Sequence, residues 1–344
     1  MLITMNNSSS SDTNSCLFLH PLLVNTEPIP YVVLTCVLNA VVFLPTVAGN
    51  SLILVTMWRN PNLDSPNHIY LFSLATADFI TGFVVQPSYV VHKMAWLYSK
   101  SSLSCTARII MEIVAWISAA VSCSTVSIIS LDRMLALQLH MRYQLYVTQR
   151  RAINSTLSIW IGLTILSCGR FFMKDIRPFV VIGTIGILSG MANVFFAYGQ
   201  IFRYMKHHRK KIGLQCPSVT GINTSDSETT TAKKVKVKKL WRSAINLAYV
   251  VGLFVVAYLP FVSTLIAFLV HGPTMQIDVA YDITRTIVFC VSLVNPFFYC
   301  WKISDVKIEV MKTLKKIRKR AIDLDDKRTD GNSQNNGENH TASR

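Results

Sequence analysis

This sequence is poor in charge. Asp, Glu, Lys and Arg supply only 15% of its 344 residues, against about 25% in soluble domains, so the chain cannot cover a water-facing surface in the ordinary way. Its eight cysteines form no CxxC pair and join no histidine cluster at metal-ligand spacing, which leaves neither a zinc site nor a dense disulfide framework. Residues 1–30 contain no Lys or Arg and no apolar core, so they make a poor signal peptide and read as a polar tail carried across a membrane. No Ser/His/Asp arrangement or intramembrane metal spacing stands out, which gives an enzyme little support.

What the chain has instead is hydrophobic length. Hydrophobic residues make up 51% of it and gather into seven runs, at 31–57, 69–91, 109–131, 153–168, 179–202, 244–270 and 283–301. About 20 apolar residues span a bilayer as a helix. The runs lack the period-two alternation of barrel strands, and lipid offers nothing to a bare backbone, so each is expected to be helical. The fold class that follows is all-α: a seven-transmembrane helix bundle over 31–302 behind an extracellular tail, 1–30.

The net charge of +16 would suit nucleic acid if the cations shared one folded face, but they lie between membrane-length runs. Nucleic acid is therefore excluded as a partner. The cations crowd 203–242, the loop with Arg142, Arg150 and Arg151, and the stretch after Lys302. Positive charge marks the cytosolic side. The amino terminus is then outside and, after seven crossings, the carboxyl terminus inside. Sequons at Asn6 and Asn7 fall outside, where glycosylation takes place; those at Asn154, Asn223 and Asn339 fall inside. In the long third cytosolic loop, 218–231 is rich in Ser, Thr and Asp, and 233–241 reads as a basic extension of the sixth run. Beyond the seventh run, Ile303, Val306, Val310, Leu314 and Ile317 recur every three or four residues among lysines. That period predicts an amphipathic helix over 303–318 on the anionic inner leaflet, a frayed basic tail being the alternative. Residues 319–344 are polar and expected to be disordered.

An ionised side chain at the centre of a bilayer costs about 2.5–3.5 kcal/mol or more, so it faces a partner or water. Asp78 sits in the middle of the second run. Asn50, Ser122, Ser292 and Asn295 fall near its depth if the helices alternate in direction. One carboxylate ringed by amides and hydroxyls either holds a small cation such as sodium or knots the helices together, and the two readings are compatible. At the inner end of the third run Asp132 precedes Arg133. Neighbours on a helix do not share a face, yet Asp132 can fold back onto the guanidinium at the water boundary; simple snorkelling is the plainer alternative. Pro260 and Pro296 each free a carbonyl in runs six and seven and make hinges there, while Pro45 and Pro87 kink runs one and two.

Taken together these residues resemble the rhodopsin-like (class A) G-protein-coupled receptors from about residue 31 to residue 317. The resemblance rests on Gly49-Asn50, Leu74-Ala75-Thr76-Ala77-Asp78, Leu131-Asp132-Arg133-Met134, Trp160, Tyr198, Phe254 ahead of Pro260, and Asn295-Pro296-Phe297-Phe298-Tyr299. It implies a plasma-membrane receptor for an extracellular peptide, lipid or small molecule. Outward movement of helix six would activate a heterotrimeric G protein, with arrestin and membrane lipids as further partners. Arg133 would reach toward Tyr198 and Tyr299 in the active state, and Asn50, Asp78, Ser122 and Asn295 would form a sodium-linked network. The departures are Met134 for the usual tyrosine, His140 for a loop proline, Tyr258 for the common tryptophan, Gly190 for the proline of helix five, and Leu240 where Arg133 would find an acidic partner. They put the transmission to helix six in doubt in its detail and suggest raised basal activity.

The resemblance also implies a disulfide from helix three to the second outer loop, but that loop has no cysteine, which leaves Cys105 either paired with Cys16 or free. The cysteine-free loop and proline-free helix five lean toward the branch of melanocortin, cannabinoid, lysophospholipid and adenosine receptors. Ala115 stands where amine receptors carry aspartate, Phe289 where light sensors carry lysine, and Leu265 where adenosine receptors carry asparagine. Glu112, Trp116, Tyr258 and Arg285 remain as ligand-binding candidates, with Tyr89 beside them. Glu112 suits a basic peptide group and Arg285 a carboxylate, or Glu112 pairs internally with Arg108 or Arg285. A transporter or channel with a mid-membrane ion site is the alternative function, although no internal repeat or pair of broken helices supports it.

Overall fold

The computed structural model describes residue 16 and residues 28–59, 66–139, 142–173, 175–214, 248, 251–302, 306–316 and 318–319. The sequons at Asn6, Asn7, Asn223 and Asn339, residues His140 and Leu240, the loop segments 218–231 and 233–241, and the tail from 320 lie outside the described residues. Among the described residues seven long helices follow one another: α1, Ile29–Arg59; α2, Pro66–Leu97; α3, Ser101–Leu139; α4, Gln149–Gly169; α5, Arg177–Leu214; α6, Val251–His271; and α7, Met275–Lys302. A shorter helix, α8, covers 306–316, and there is no strand among the described residues. On α8, Val306, Val310 and Thr313 are buried while Lys307, Ile308, Lys312 and Leu314 are exposed.

By length and composition α1 to α6 can each cross a membrane. The seventh, α7, is the polar one, with Asp278, Asp282 and Arg285 near its start. Several helices outrun the apolar stretches that announce them: α3 extends from 109–131 to Ser101–Leu139 and α5 from 179–202 to Arg177–Leu214. Hydropathy marks only the lipid-facing part, whereas the ladder of intrahelical hydrogen bonds continues wherever polar residues still favour it. The start of α4 is fixed locally, because Thr148 caps it by accepting the Arg151 amide at 3.4 Å.

Helix α1 is inside out relative to a soluble one. On α1 the buried side carries Thr35, Asn39, Thr46 and Asn50, while Val33, Leu34, Val37, Val41 and Leu44 are exposed. In lipid the apolar residues lose nothing by facing outward, so packing and hydrogen bonding, not hydrophobicity, decide which face turns in. Helix α3 is the axis of the bundle, touching α2, α4 and α5, and α1 packs on α2 and α7. Trp160 of α4 donates its indole N–H to Ser73 of α2 at 3.0 Å. The kink expected of Pro87 is accompanied by a π-helical segment, Thr81–Val85, directly before it, which is where an unpaired carbonyl is tolerated by widening the turn. Cys16 and Cys105 form a disulfide, tying the outer tail to the first turns of α3.

Small residues set how closely α3 and α5 approach. A Cβ on Gly183 would lie 2.7 Å from the Trp116 ring, and one on Gly190 would lie 2.7 Å from Cys123 Sγ. Gly190, in place of the expected proline, therefore fills a packing role. Gly190→Val should lower the melting temperature of the detergent-solubilised protein, reflecting an overpacking cost of about 1–3 kcal/mol. Gly199→Ala, where a Cβ meets nothing within 4 Å, should leave the melting temperature unchanged or raise it.

Candidate functional site

The polar residues of the sequence gather at three depths along the bundle axis. The innermost lies at the end of α3. Arg133 bonds to Asp132 through both Nε, at 3.1 Å, and Nη2, and the hydroxyl of Tyr143, in the one-turn helix Tyr143–Tyr146, donates to the other oxygen of Asp132. Burial, then the charge of Asp132, pushes the Tyr143 hydroxyl well above its ordinary range, so it stays a donor. Asp132 folds back onto Arg133 as the sequence suggests, whereas the grip of Tyr143 has no signature in spacing. Tyr198 packs against Leu137, Met134 and Ile201 on the adjoining face of α3 and α5. The replacement Met134 is a buried packing residue there.

At mid-depth Asp78 accepts a bond to each oxygen, from Ser292 at 2.7 Å and from Asn295 at 2.8 Å. With Ser118, Ser122, Tyr258 and Phe254 these residues line a cavity of about 20 Å³, room for about one water-sized particle. Asn50 belongs to the same layer but does not bond to Asp78, contrary to a network in which it would. Its Nδ2 donates to the carbonyl of Ser292 at 3.0 Å and to that of Thr46 at 2.9 Å. The reason is Pro296: with no N–H it leaves the Ser292 carbonyl, one turn earlier, without its helical partner. Gly49 lets α1 approach, since a Cβ there would already lie 3.3 Å from the Pro296 ring. Asn50 Oδ1 and Asn295 Oδ1 are buried with no partner among the described residues.

Nearest the outer end a charged knot joins four helices. Arg285 of α7 bridges Glu112 of α3 at 2.6 Å and Asp282 at 2.5 Å, and Asp282 also holds Lys93 of α2 at 2.5 Å and the hydroxyl of Tyr31 of α1 at 3.1 Å. The guanidinium lies between the rings of Tyr89 and Tyr281, 5.0 and 5.1 Å from their centroids. Of the two internal partners open to Glu112, the structure selects Arg285. Lys93, Tyr31 and Tyr281 were missed in the sequence; the one available signal was a lysine close to the apolar end of the second run.

Below the knot lies a cavity of about 110 Å³ lined by Glu112, Trp116, Phe179, Phe261, Tyr281 and Arg285 together with small and aliphatic residues of α3, α4 and α5. Glu112, Trp116 and Arg285 thus meet at one cavity. Tyr258 and Tyr89 do not join them: Tyr258 lines the Asp78 cavity and donates to the Ala119 carbonyl at 3.2 Å, and Tyr89 is buried with its hydroxyl on Thr35 at 2.8 Å. Phe261, Tyr258 and Phe254 form a continuous aromatic ladder between the two cavities, with centroid separations of 6.4 and 4.0 Å. Asn50→Ala, which orphans the Ser292 carbonyl, should destabilise the folded protein by about 1–3 kcal/mol, read as a lower melting temperature with no change in disulfide content.

The family model for the 7 transmembrane receptor (rhodopsin family) matches residues 49–182 and 175–299. The guinea-pig (Cavia porcellus) alpha-1A adrenergic receptor is 23% identical over 89% of this chain and 72% of its own length. The 5-hydroxytryptamine receptor 1B of Spalax ehrenbergi is 23% identical over 81% of this chain and 86% of its own length. These are named as amine receptors, not as members of the branch to which the short second outer loop leans. Squid rhodopsin superposes with a TM-score of 0.70 at 16% identity, covering 87% of this chain and 90% of that one, so the fold is shared. With a family match across most of the chain and the polar layers in the bundle, this protein belongs to the rhodopsin family of seven-transmembrane receptors.

Proposed function

We propose that this receptor binds an extracellular ligand in the outer cavity and activates a heterotrimeric G protein through outward movement of the inner end of α6. The observation that carries the reading is the aromatic ladder. Trp116 and Phe261 line the outer cavity, Tyr258 and Phe254 line the Asp78 cavity, and Ala119, Val288 and Phe289 line both. A ligand pressing on Phe261 therefore acts on side chains that also border Asp78, across the hinge at Pro260. A ligand shifts this equilibrium only by the difference between its affinities for the two arrangements. The resting arrangement is held by Asp132, which accepts from Arg133 and from the Tyr143 hydroxyl; charge-assisted bonds of this kind contribute about 1.5–3 kcal/mol each. Releasing Arg133 would free it for Tyr198, and by family resemblance for Tyr299.

The chain would sit in the plasma membrane with its amino terminus outside, arrestin sharing the inner face and α8 resting on anionic lipid. Family membership favours this receptor over a transporter or channel. Amine recognition does not transfer simply from the relatives, because Glu112, the one carboxylate lining the outer cavity among the described residues, already holds Arg285.

Measuring basal guanine-nucleotide exchange on a co-expressed G protein, with solute flux in the same vesicles, tests this. Asp132→Asn should raise exchange several-fold, adding Arg133→Ala should abolish it at unchanged surface expression, and flux should stay at background. Exchange indifferent to Arg133 would refute the latch.

We also infer a sodium ion at Asp78. The small cavity, the carboxylate and the unpartnered Asn295 Oδ1 suit a hard cation with oxygen ligands. Asp78, Ser122, Ser292 and Asn295 would hold it, and its charge would offset that of Asp78 in the resting state. Replacing N-methylglucamine chloride by sodium chloride at constant ionic strength should raise the melting temperature of the wild type and not that of Asp78→Asn. Equal responses would exclude the site.

A further inference from the structure

The outer cavity is polarised from one wall to the other. Its charged groups, Glu112 and Arg285, stand on α3 and α7, while its far wall is Leu163, Leu166, Ile182, Gly183, Gly186 and Ile187 on α4 and α5. Those two helices barely touch. Ile182 is 43% exposed, and a Cβ added to Gly186 would meet nothing within 4 Å. The wall between α4 and α5 is thus open sideways, toward the hydrocarbon that surrounds the bundle. The enclosed space is small. At about 110 Å³ it is smaller than the roughly 150 Å³ void that accommodates benzene, so any longer apolar ligand must continue out through this opening.

The charged wall asks for an acceptor. Arg285 is 6% exposed, and its Nε–H has no acceptor among the described residues although both terminal nitrogens are paired. Within Coulombic reach of the Glu112 carboxylate stand three guanidiniums, Arg108, Arg170 and Arg285. The further acids are Asp282, which holds Arg285 and Lys93, with Asp278 and Asp175; none of the three is in the cavity lining. A ligand ammonium here would have to compete with Arg285 for Glu112, which is the acid among the described lining residues. A ligand carboxylate would give Arg285 the acceptor it lacks and leave Glu112 with Arg108 one turn away.

We propose that the ligand is an anionic amphiphile, its acidic head on Arg285 and its apolar chain passing between α4 and α5 into the bilayer, from which it enters. This rests on the receptor reading only in taking the cavity as the ligand site; the binding measurement contains no G protein, so its failure and that of G-protein coupling are separate results. The probe is radiolabelled oleate, added to the full chain in phosphatidylcholine nanodiscs against empty discs. Oleate should bind saturably, and oleyl alcohol and oleylamine, with the same chain and a neutral or cationic head, should compete about tenfold or more weakly. Gly186→Trp should leave the melting temperature unchanged and slow oleate association about tenfold. Competition by oleylamine as strong as by oleate would overturn the anionic head. Association unaffected by Gly186→Trp would overturn the lateral route. Uptake no greater than in empty discs would overturn the proposal as a whole.

Discussion

A proline has no N–H, and in hydrocarbon the carbonyl it leaves behind has no water to turn to. Pro296 imposes this constraint on α7, and the bundle answers it with Asn50, whose amide reaches the Ser292 carbonyl at 3.0 Å. The reach is possible because Gly49 brings α1 against the Pro296 ring. With its carbonyl occupied by α1, Ser292 has its hydroxyl directed to Asp78, and Asn295 meets the second carboxylate oxygen. One missing hydrogen thus fixes the relation of α1, α2 and α7. The small polar cavity follows from that relation.

Charge in the rest of the bundle obeys the same economy. Among the described residues these buried carboxylates have cations, hydroxyls or an amide within bonding distance: Asp78 with Ser292 and Asn295, Glu112 with Arg285, Asp282 with Lys93 and Arg285, and Asp132 with Arg133 and Tyr143. Breaking such a pair by removing one partner leaves a buried charge uncompensated, which is costly in a low-dielectric interior. The outer and inner pairs therefore act as clamps at the two ends of α3, and the aromatic side chains of α6 run between them.

Much of this was legible in the chain. The lengths of the apolar runs gave the number of helices because a bilayer demands a fixed length of backbone hydrogen-bonded within itself, and α7 was found despite its polar start because its remaining residues are apolar. Asp78, Asn50 and Asn295 stood out as polar residues in lipid-length runs, and Asp132 with Arg133 as a pair at the boundary. The bonding order within each layer was not legible. Asn50 serves a carbonyl and not Asp78, Tyr258 lines the Asp78 cavity and not the outer one, and Tyr143 grips Asp132 from a separate turn.

By itself, then, the sequence determined the class of fold, the depth of each polar layer and the family, since these depend on run length and on the cost of burying polar groups, both local properties of the chain. Tertiary structure alone decided the partner of Glu112, the pairing of Cys16 with Cys105, the knot around Asp282 and the gap between α4 and α5. Those depend on how helices rotate about their own axes and how closely they approach, and in lipid that is set by small residues and hydrogen bonds between segments far apart in sequence, which no periodicity within a single segment records.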